Sequence, residues 1–300
     1  MVAPASRSSS PSAPLPHVAL PISQEDITYA HGPDSIRQAG VPEGTLEELV
    51  IEDCVAYPGT RRRVWIHTPA GLTPDEEASV MFFTDGWWNL DPESEVRGAV
   101  VLDNLAAAGD IPPLIGVFVD PGVFDDESGP RKNRNAEYDA FDSRHADFLV
   151  DEILPLVEAR QRVSRAASGR GICGGSSGGD AAFTAAWTRP DAIGRVLAFN
   201  ASFAQMPGGN PYPELLARAD PRPIRVLLHA AHRDVGWNQR EGNWFAENLR
   251  TAAALAEAGY DMRLVLGDGG HGPNHAGVLL PDALRWLWRP MAEPLPARRP

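Results

Sequence analysis

The sequence has no uninterrupted apolar run of about 18 residues, the length that a membrane-spanning helix requires. It has two cysteines, Cys54 and Cys173, too few for a secreted scaffold built on disulfide bonds, so two free, buried thiols are expected. Cations are also scarce, since 27 Lys and Arg residues face 40 Asp and Glu residues and the formal net charge is −13. Nucleic acids and anionic membrane surfaces both need a basic face, so neither is expected as a partner.

The first residues lack the apolar stretch of about 7–15 residues that defines a signal peptide. Residues 1–25 are instead rich in Pro, Ser and Ala, and we predict a disordered tail there and a second one over 293–300. Residues 26–292 contain no linker, so we predict a single domain in a cytoplasmic protein.

Strand patterns alternate with helix patterns along the chain. Segments 46–51 and 63–67 alternate apolar and polar residues, as half-buried antiparallel strands do. Later apolar runs, such as 113–119 (PLIGVFV), are typical of buried parallel strands. Further strands are predicted over 80–83, 171–173, 195–199, 224–229 and 264–266, and helices over 96–108, 140–160, 180–189, 240–258 and 276–289. We therefore predict an α/β fold with a mostly parallel, doubly wound sheet and helices on both faces.

The strongest signal for chemistry is GICGGSSGGDAAF, residues 171–183, where an apolar strand passes through a Gly-Ser turn into a helix. This is the G-x-S-x-G nucleophile elbow, whose glycines avoid clashes in a tight turn and whose serine projects at a helix N-terminus. Two frames fit, one centred on Ser176 and one on Ser177, and we prefer Ser176. A phosphate-binding loop is the alternative, but the Lys or fuller glycine pattern that it needs is missing.

A serine hydroxyl needs an adjacent base, and in such folds the acid and then the histidine follow the serine. His271 and His275 lie in a Gly-rich segment after the last predicted strand. We prefer His271 as the base, with His275 as a helix-start or supporting residue, because no HExxH pattern favours a metal pair. Asp234 is the predicted acid, helix capping being its alternative role, and Glu241 is the backup acid.

The oxyanion hole is expected to use the Ser177 N–H, directly after the nucleophile, and a second donor from TDGWWN, residues 84–89. There Gly86 would allow a close approach of the backbone and Trp87 would supply the N–H, while one of the two adjacent tryptophans is expected in the core. The polar segment 125–139 is expected to be a lid or a solvated loop. Side chains predicted to bind substrate are Trp88, Arg134, Glu137, Tyr138, Trp237, Asn243 and Trp244.

Five longer segments look like those of a known family. They are GPDSIRQAGVPEGT, RNAEYDAFDSRHADFLVDEILP, ICGGSSGGDAAFTAAW, EGNWFAENLRTAAALAEAGYD and GDGGHGPNHAGVLLPDALRWLW. On these segments the chain resembles the enterochelin-esterase-like branch (Fes-type, or esterase D) of the α/β-hydrolases, from about residue 32 to residue 289.

The resemblance implies an eight-stranded α/β-hydrolase fold with little or no separate cap domain. It implies no cofactor, Ser176 as nucleophile, His271 as base and Asp234 as acid, acting on siderophore, sugar or other acyl esters. The chain departs from the family pattern at TDGWW and at LAFNASFAQMPGGN, and both departures bear on the substrate more than on the chemistry.

The sequence thus predicts a serine carboxylic-ester hydrolase that forms an acyl-enzyme with a small or medium ester or lactone. Acyl transfer from the same site to an alcohol is the first alternative, and a non-catalytic binding protein on the same fold is the second. A small-molecule ester is the expected partner, and a homo-oligomer is compatible with the sequence.

Overall fold

The computed structural model describes residues 27–52, 54–126 and 129–290. The predicted disordered tails, 1–25 and 293–300, lie outside the described residues, and the single-domain organisation stays a prediction. Among the helices that the structure describes, none is long and apolar enough to cross a bilayer. Cys54 and Cys173 are buried free thiols, as predicted.

A central sheet of eight strands has the order β1-β2-β4-β3-β7-β8-β9-β10. Its strands are β1 (Thr45–Ile51), β2 (Arg62–Thr68), β3 (Ser79–Thr84), β4 (Leu114–Val119), β7 (Arg170–Gly175), β8 (Arg195–Phe199), β9 (Arg225–Ala231) and β10 (Asp261–Gly267). A separate hairpin consists of β5 (Val123–Asp126) and β6 (Gly129–Lys132). The pairs β1–β2 and β2–β4 are antiparallel and every other pair in the large sheet is parallel, so the predicted α/β-hydrolase architecture is confirmed.

Helices connect the strands. They are α1 (Gly86–Leu90), α2 (Gly98–Ala108), α3 (Arg134–Tyr138), α4 (Arg144–Asp147), α5 (Leu154–Glu158), α6 (Ser177–Thr188), α7 (Tyr212–Arg218), α8 (Trp244–Glu257) and α9 (Asn274–Trp288). A π-helical segment, Phe148–Ile153, lies between α4 and α5 and interrupts the helix predicted over 140–160. The polar segment 125–139, expected to be a loop, instead forms the hairpin and α3; Gly129 at its turn has a φ of 98°, which glycine adopts without strain.

The sheet separates two apolar cores, as a doubly wound arrangement requires. In β3, Val80 and Phe82 face the core on one side, which includes Phe183 of α6. Met81 and Phe83 face the other, which includes Leu280 and Leu284 of α9. Each fully buried side chain of this kind stabilises the fold by about 1.5–3 kcal/mol, and α6 and α9 are fixed against the sheet by these contacts.

At the amino end of the parallel strands a buried arginine holds the last helix. The side chain of Arg225, the first residue of β9, pairs with Asp261 at 2.6 Å. It also donates to the carbonyl oxygens of Leu287 and Pro290, both at 2.9 Å. The end of α9 is therefore tied to the amino edge of the sheet, opposite the edge at which β7, β9 and β10 end.

Candidate active site

Ser176 occupies a sharp turn between β7 and α6. Its φ and ψ are 60° and −131°, a conformation that non-glycine residues rarely adopt and that the nucleophile elbow imposes. Its N–H donates to the carbonyl of Phe199 at 2.9 Å, and its own carbonyl accepts the N–H of Gly179 at 2.9 Å and of Ser202 at 3.2 Å. The elbow is thus fastened to β8 on one side and to the first turn of α6 on the other.

The glycines around Ser176 differ in how much space a side chain would have. A Cβ on Gly174 would overlap the Gly178 carbonyl and the Thr84 hydroxyl, and a Cβ on Gly178 would overlap the same hydroxyl. At Gly175 the nearest atom is 3.7 Å away, an ordinary contact. The two positions that must be glycine flank Ser176, while Ser177 is already the first residue of α6. The preferred frame, centred on Ser176, matches this geometry.

The predicted acid and base form a close pair. Asp234 follows β9, is fully buried, and its Oδ1 lies 2.6 Å from the Nδ1 of His271, whose side chain is one-third exposed. The same carboxylate oxygen accepts the N–H of Val235 at 2.7 Å. Asp234 does not cap α8, because Asn243 does so, and the backup acid Glu241 is exposed.

Trp244 supports the base instead of lining the pocket. Its ring meets the His271 ring edge-on, with centroids 5.0 Å apart and an interplanar angle of 83°, and it is 8% exposed. The prediction that Trp244 binds substrate is therefore corrected, because the residue is buried and its ring lies against His271.

Asn200, directly after β8, connects this strand to the segment that carries His271. The sequence did not identify this residue. Asn200 follows Phe199 with a φ of 46°, which asparagine tolerates better than most residues. Its Oδ1 accepts the N–H of Ala231 at 2.8 Å and its Nδ2 donates to the carbonyl of Gly272 at 3.4 Å. The segment that carries His271 is thus joined to the end of β8, the strand whose Phe199 carbonyl accepts the N–H of Ser176. The remaining link, from Ser176 Oγ to His271 Nε2, stays a prediction.

The loop predicted to supply the second oxyanion donor packs against β4. A Cβ on Gly86 would lie 2.6 Å from backbone atoms of Phe118 and Val119, so glycine is needed for this approach. The N–H of Trp87 donates to the Oδ1 of Asp120 at 2.9 Å. Because an amide has one hydrogen, Trp87 can serve an oxyanion only after Asp120 releases it.

Arg134 lies beneath the elbow, but its charge is already paired. The guanidinium makes two hydrogen bonds to Asp85, at 2.6 and 2.8 Å, and contacts the Gly175 carbonyl at 3.4 Å. Tyr138 is buried, and its hydroxyl accepts the N–H of Asp85 at 3.1 Å. Both residues therefore fix the Asp85 turn. The prediction that Tyr138 binds substrate is wrong, because its side chain is buried.

Two other predicted pocket residues also have structural roles. Glu137 is buried and binds Arg62 through two hydrogen bonds, at 2.7 and 3.0 Å. Asn243 accepts the N–H of Ala246 at 2.9 Å as the N-cap of α8, and donates to the Trp237 carbonyl at 2.9 Å. Glu137 and Asn243 were predicted to bind substrate because they lie in polar segments of the sequence. Their polar atoms are instead hydrogen-bonded to other residues of the protein.

Three tryptophans that the sequence placed near the site reach solvent: Trp87, Trp88 and Trp237 are 44%, 62% and 39% exposed. The expectation that one of the adjacent tryptophans belongs to the core is thus wrong. Trp87 packs on Trp65, with ring centroids 5.7 Å apart. Trp88 and Trp237 stay candidates for substrate contact.

A cavity of about 430 Å³ opens beside the oxyanion loop. It is lined by Arg61, Arg62, Arg63, Asp85, Trp87, Trp88, Asp120, Pro121, Val123, Pro130 and Lys132. The Lys132 ammonium lies 5.9 Å from the centre of the Trp88 ring, and the Arg63 guanidinium lies 4.7 Å from that of Trp65. The wall is both aromatic and cationic, and of its members the sequence pointed to Trp87 and Trp88.

Residues 56–282, well over half of the chain, match the model of the Esterase family. No curated protein sequence matches the chain.

Solved structures with the same fold include three esterases. The enterobactin esterase FES from Shigella flexneri, in the presence of enterobactin, is 23% identical with a TM-score of 0.69, and the match covers 84% of this chain and 60% of that one. Ferric enterobactin esterase from Salmonella typhimurium is 22% identical with a TM-score of 0.68, covering 85% and 60%. The ferulic acid esterase AmCE1/Fae1A from Anaeromyces mucronatus, in complex with ferulic acid, is 19% identical with a TM-score of 0.66, covering 90% and 98%. The chain thus spans about three fifths of the length of the enterobactin esterases that it matches.

Proposed function

The chain belongs to the Esterase family, and we propose that it hydrolyses carboxylic esters through an acyl-enzyme on Ser176. The observation that carries this proposal is the hydrogen bond of 2.6 Å between the buried Asp234 carboxylate and the His271 imidazole, at the edge where the elbow presents Ser176. A serine in this conformation, at a helix N-terminus and near an oriented imidazole, is the arrangement that acyl transfer requires.

In the proposed reaction His271 accepts the Ser176 hydroxyl proton while Oγ attacks the ester carbonyl carbon. The negative charge that develops on the carbonyl oxygen is bound by the Ser177 N–H, an orphan donor at the start of α6. His271 then gives the proton to the departing alcohol oxygen, and the acyl-enzyme is left. Water then attacks the acyl carbon while His271 accepts a proton from it. His271 gives that proton to Ser176 Oγ as the carboxylic acid leaves, which restores the free serine. Asp234 holds the imidazole and stabilises its cationic form.

The proposed substrate class is an ester with an aromatic group. Trp88 and Trp237 expose large ring surfaces near the site, and the neighbouring cavity adds Lys132 at the Trp88 ring. Aromatic rings bury much apolar area against such walls. The printed names of the structural neighbours, which refer to enterobactin and ferulic acid, support the same class.

A fluorophosphonate probe tests the chemistry, because it reacts with serines that an adjacent base activates. We expect one labelled peptide, with the modification on Ser176, and loss of both labelling and aryl-ester hydrolysis in Ser176→Ala. Ser177→Ala is the matched control and should keep both, because its side chain is not the nucleophile. Labelling at Ser177, or unchanged hydrolysis by Ser176→Ala, would refute the proposal.

A further inference from the structure

Tyr29, far from the site in sequence, contacts both ends of the segment that carries His271. Its hydroxyl accepts the N–H of Asp268 at 2.8 Å. Its N–H donates to the Oδ1 of Asn274 at 2.7 Å, and its carbonyl accepts the Nδ2 of Asn274 at 3.1 Å. Its ring stacks on His275 with centroids 3.8 Å apart and an interplanar angle of 7°. One residue therefore holds the segment 268–275 at three of its members.

The other side of His275 is fixed to the sheet. Its Nδ1 lies 2.9 Å from the Nε2 of His229, a fully buried residue of β9. The two imidazole rings meet at 89° with centroids 4.6 Å apart. Burial, and then the neighbouring imidazole of His275, lowers the pKa of His229 to about 3, so this pair is neutral near pH 7. The His275 ring is thus enclosed between Tyr29 and the sheet.

The segment between these contacts has little rigidity of its own. Four of the six residues 267–272 are glycine, and glycine loses more conformational freedom on ordering than any other residue. His271 itself is held by the hydrogen bond to Asp234 and by the edge of the Trp244 ring. Within the segment the Gly269 carbonyl accepts the N–H of Arg233 at 3.0 Å and the Gly272 carbonyl accepts the Nδ2 of Asn200 at 3.4 Å, and the contacts at its two ends add to these.

We propose that Tyr29 is a positioning residue for His271. It fastens Asp268 before the base and Asn274 and His275 after it, so that the flexible glycines between them present the imidazole to Ser176. This inference rests on the proposed function. It extends that function by adding a residue, distant in sequence, that holds His271 in place. A small misplacement of a proton-transfer group costs up to about 100-fold in rate, so loss of this contact should slow the chemical step.

The test compares Tyr29→Ala with Tyr29→Phe in the full chain. We expect Tyr29→Ala to lower kcat on an aryl ester and the fluorophosphonate labelling rate by about 10-fold to 100-fold, with KM within about twofold. Tyr29→Phe keeps the stack on His275 but loses the bond to Asp268, so its rate should lie between those of Tyr29→Ala and the wild type. Tyr260, whose hydroxyl accepts the N–H of Arg222 at 3.0 Å away from the site, gives the matched control Tyr260→Ala, which should leave kcat of the folded protein unchanged.

We call the fastening of residues 268–275 by Tyr29 the clamp. Hydrogen exchange, followed by mass spectrometry, tests the clamp without the need for turnover. In Tyr29→Ala the amides of residues 268–275 should exchange faster, and in Tyr260→Ala they should not. Unchanged exchange rates in Tyr29→Ala would refute the statement that Tyr29 restrains residues 268–275. Faster exchange with unchanged kcat would overturn the positioning role. A wild type that neither labels nor hydrolyses esters would instead reject the proposed function, and with it the catalytic part of this proposal, while exchange would still report on the clamp.

Discussion

The N–H of Trp87 and the Oδ1 of Asp120 are 2.9 Å apart, and this bond occupies the amide that we predict as the second oxyanion donor. The other oxygen of Asp120 accepts from Arg63 at 3.2 Å. Burial raises the pKa of Asp120, and the bonds from Trp87 and Arg63 oppose that rise. A carboxylate and an oxyanion cannot share one hydrogen, so the carboxylate competes with the transition state for this amide.

Asp120→Ala should therefore raise kcat, by at most about 100-fold to 1000-fold, because the Trp87 amide becomes free for the oxyanion and one such donor is worth about 2.7–4 kcal/mol in a serine protease. Steady-state kinetics on an aryl ester measure the effect. Asp125→Ala, on the hairpin beside the same cavity, removes an exposed carboxylate that pairs with Arg61 and should change kcat little. A fall in kcat for Asp120→Ala would mean that the carboxylate supports the loop instead.

Gly178 and Gly175, two glycines of the elbow, differ in the space available for a side chain. Gly178→Ala would press a methyl group onto the Thr84 hydroxyl, and overpacking of this kind costs about 1–3 kcal/mol. We expect a lower melting temperature and loss of fluorophosphonate labelling. Gly175→Ala places its methyl group 3.7 Å from the nearest atom and should keep labelling and stability close to the wild type. Equal effects of the two substitutions would contradict the frame centred on Ser176.

Asp234→Asn should lower kcat by about 10⁴-fold, the loss seen when the acid of a Ser-His-Asp triad becomes an amide and the imidazole takes the wrong tautomer. The side chain keeps its size, so the fold should persist, which circular dichroism can verify. Glu241→Gln is the matched change at the exposed backup acid and should leave kcat as in the wild type. A large loss in Glu241→Gln with activity kept in Asp234→Asn would reverse the assignment.

Stability should fall as the pH is lowered, because two buried histidines resist protonation. Burial chiefly lowers the pKa of His145 and of His229 from 6.5 to about 3. The unfolded chain therefore binds protons below about pH 6.5 that the folded chain does not, and stability is lost progressively toward pH 3. Melting temperatures from pH 7.5 to 4 measure this slope. His145→Leu should flatten it, while His232→Leu, at an exposed position, should leave it unchanged.

The features that the sequence predicted correctly are those with a local pattern. Continuous apolar runs identified the buried parallel strands, and the glycines around Ser176 identified the elbow. The order of the motifs placed Asp234 and His271 after neighbouring strands, whose carboxyl ends share one edge of the sheet. Each of these inferences needed only a short stretch of sequence and a general rule.

The errors concern contacts between distant segments. Glu137 and Tyr138 lie in a polar stretch, yet Glu137 meets Arg62 across 75 positions of sequence and Tyr138 meets Asp85 across 53. No local pattern reveals that such groups are buried and satisfied. The same holds for Tyr29, which joins the base segment across 245 positions.

The two ends of the described fold leave on opposite sides. Tyr29 lies against the base segment at the carboxyl edge of the sheet, whereas Arg225 holds the carbonyl of Pro290 at the amino edge. A surface linker or a fusion partner on the Pro290 side would therefore orient the molecule with Ser176 facing away from the support. The same attachment on the Tyr29 side would put the added mass beside His271, so immobilisation through the Pro290 side is the orientation that leaves the carboxyl edge of the sheet open.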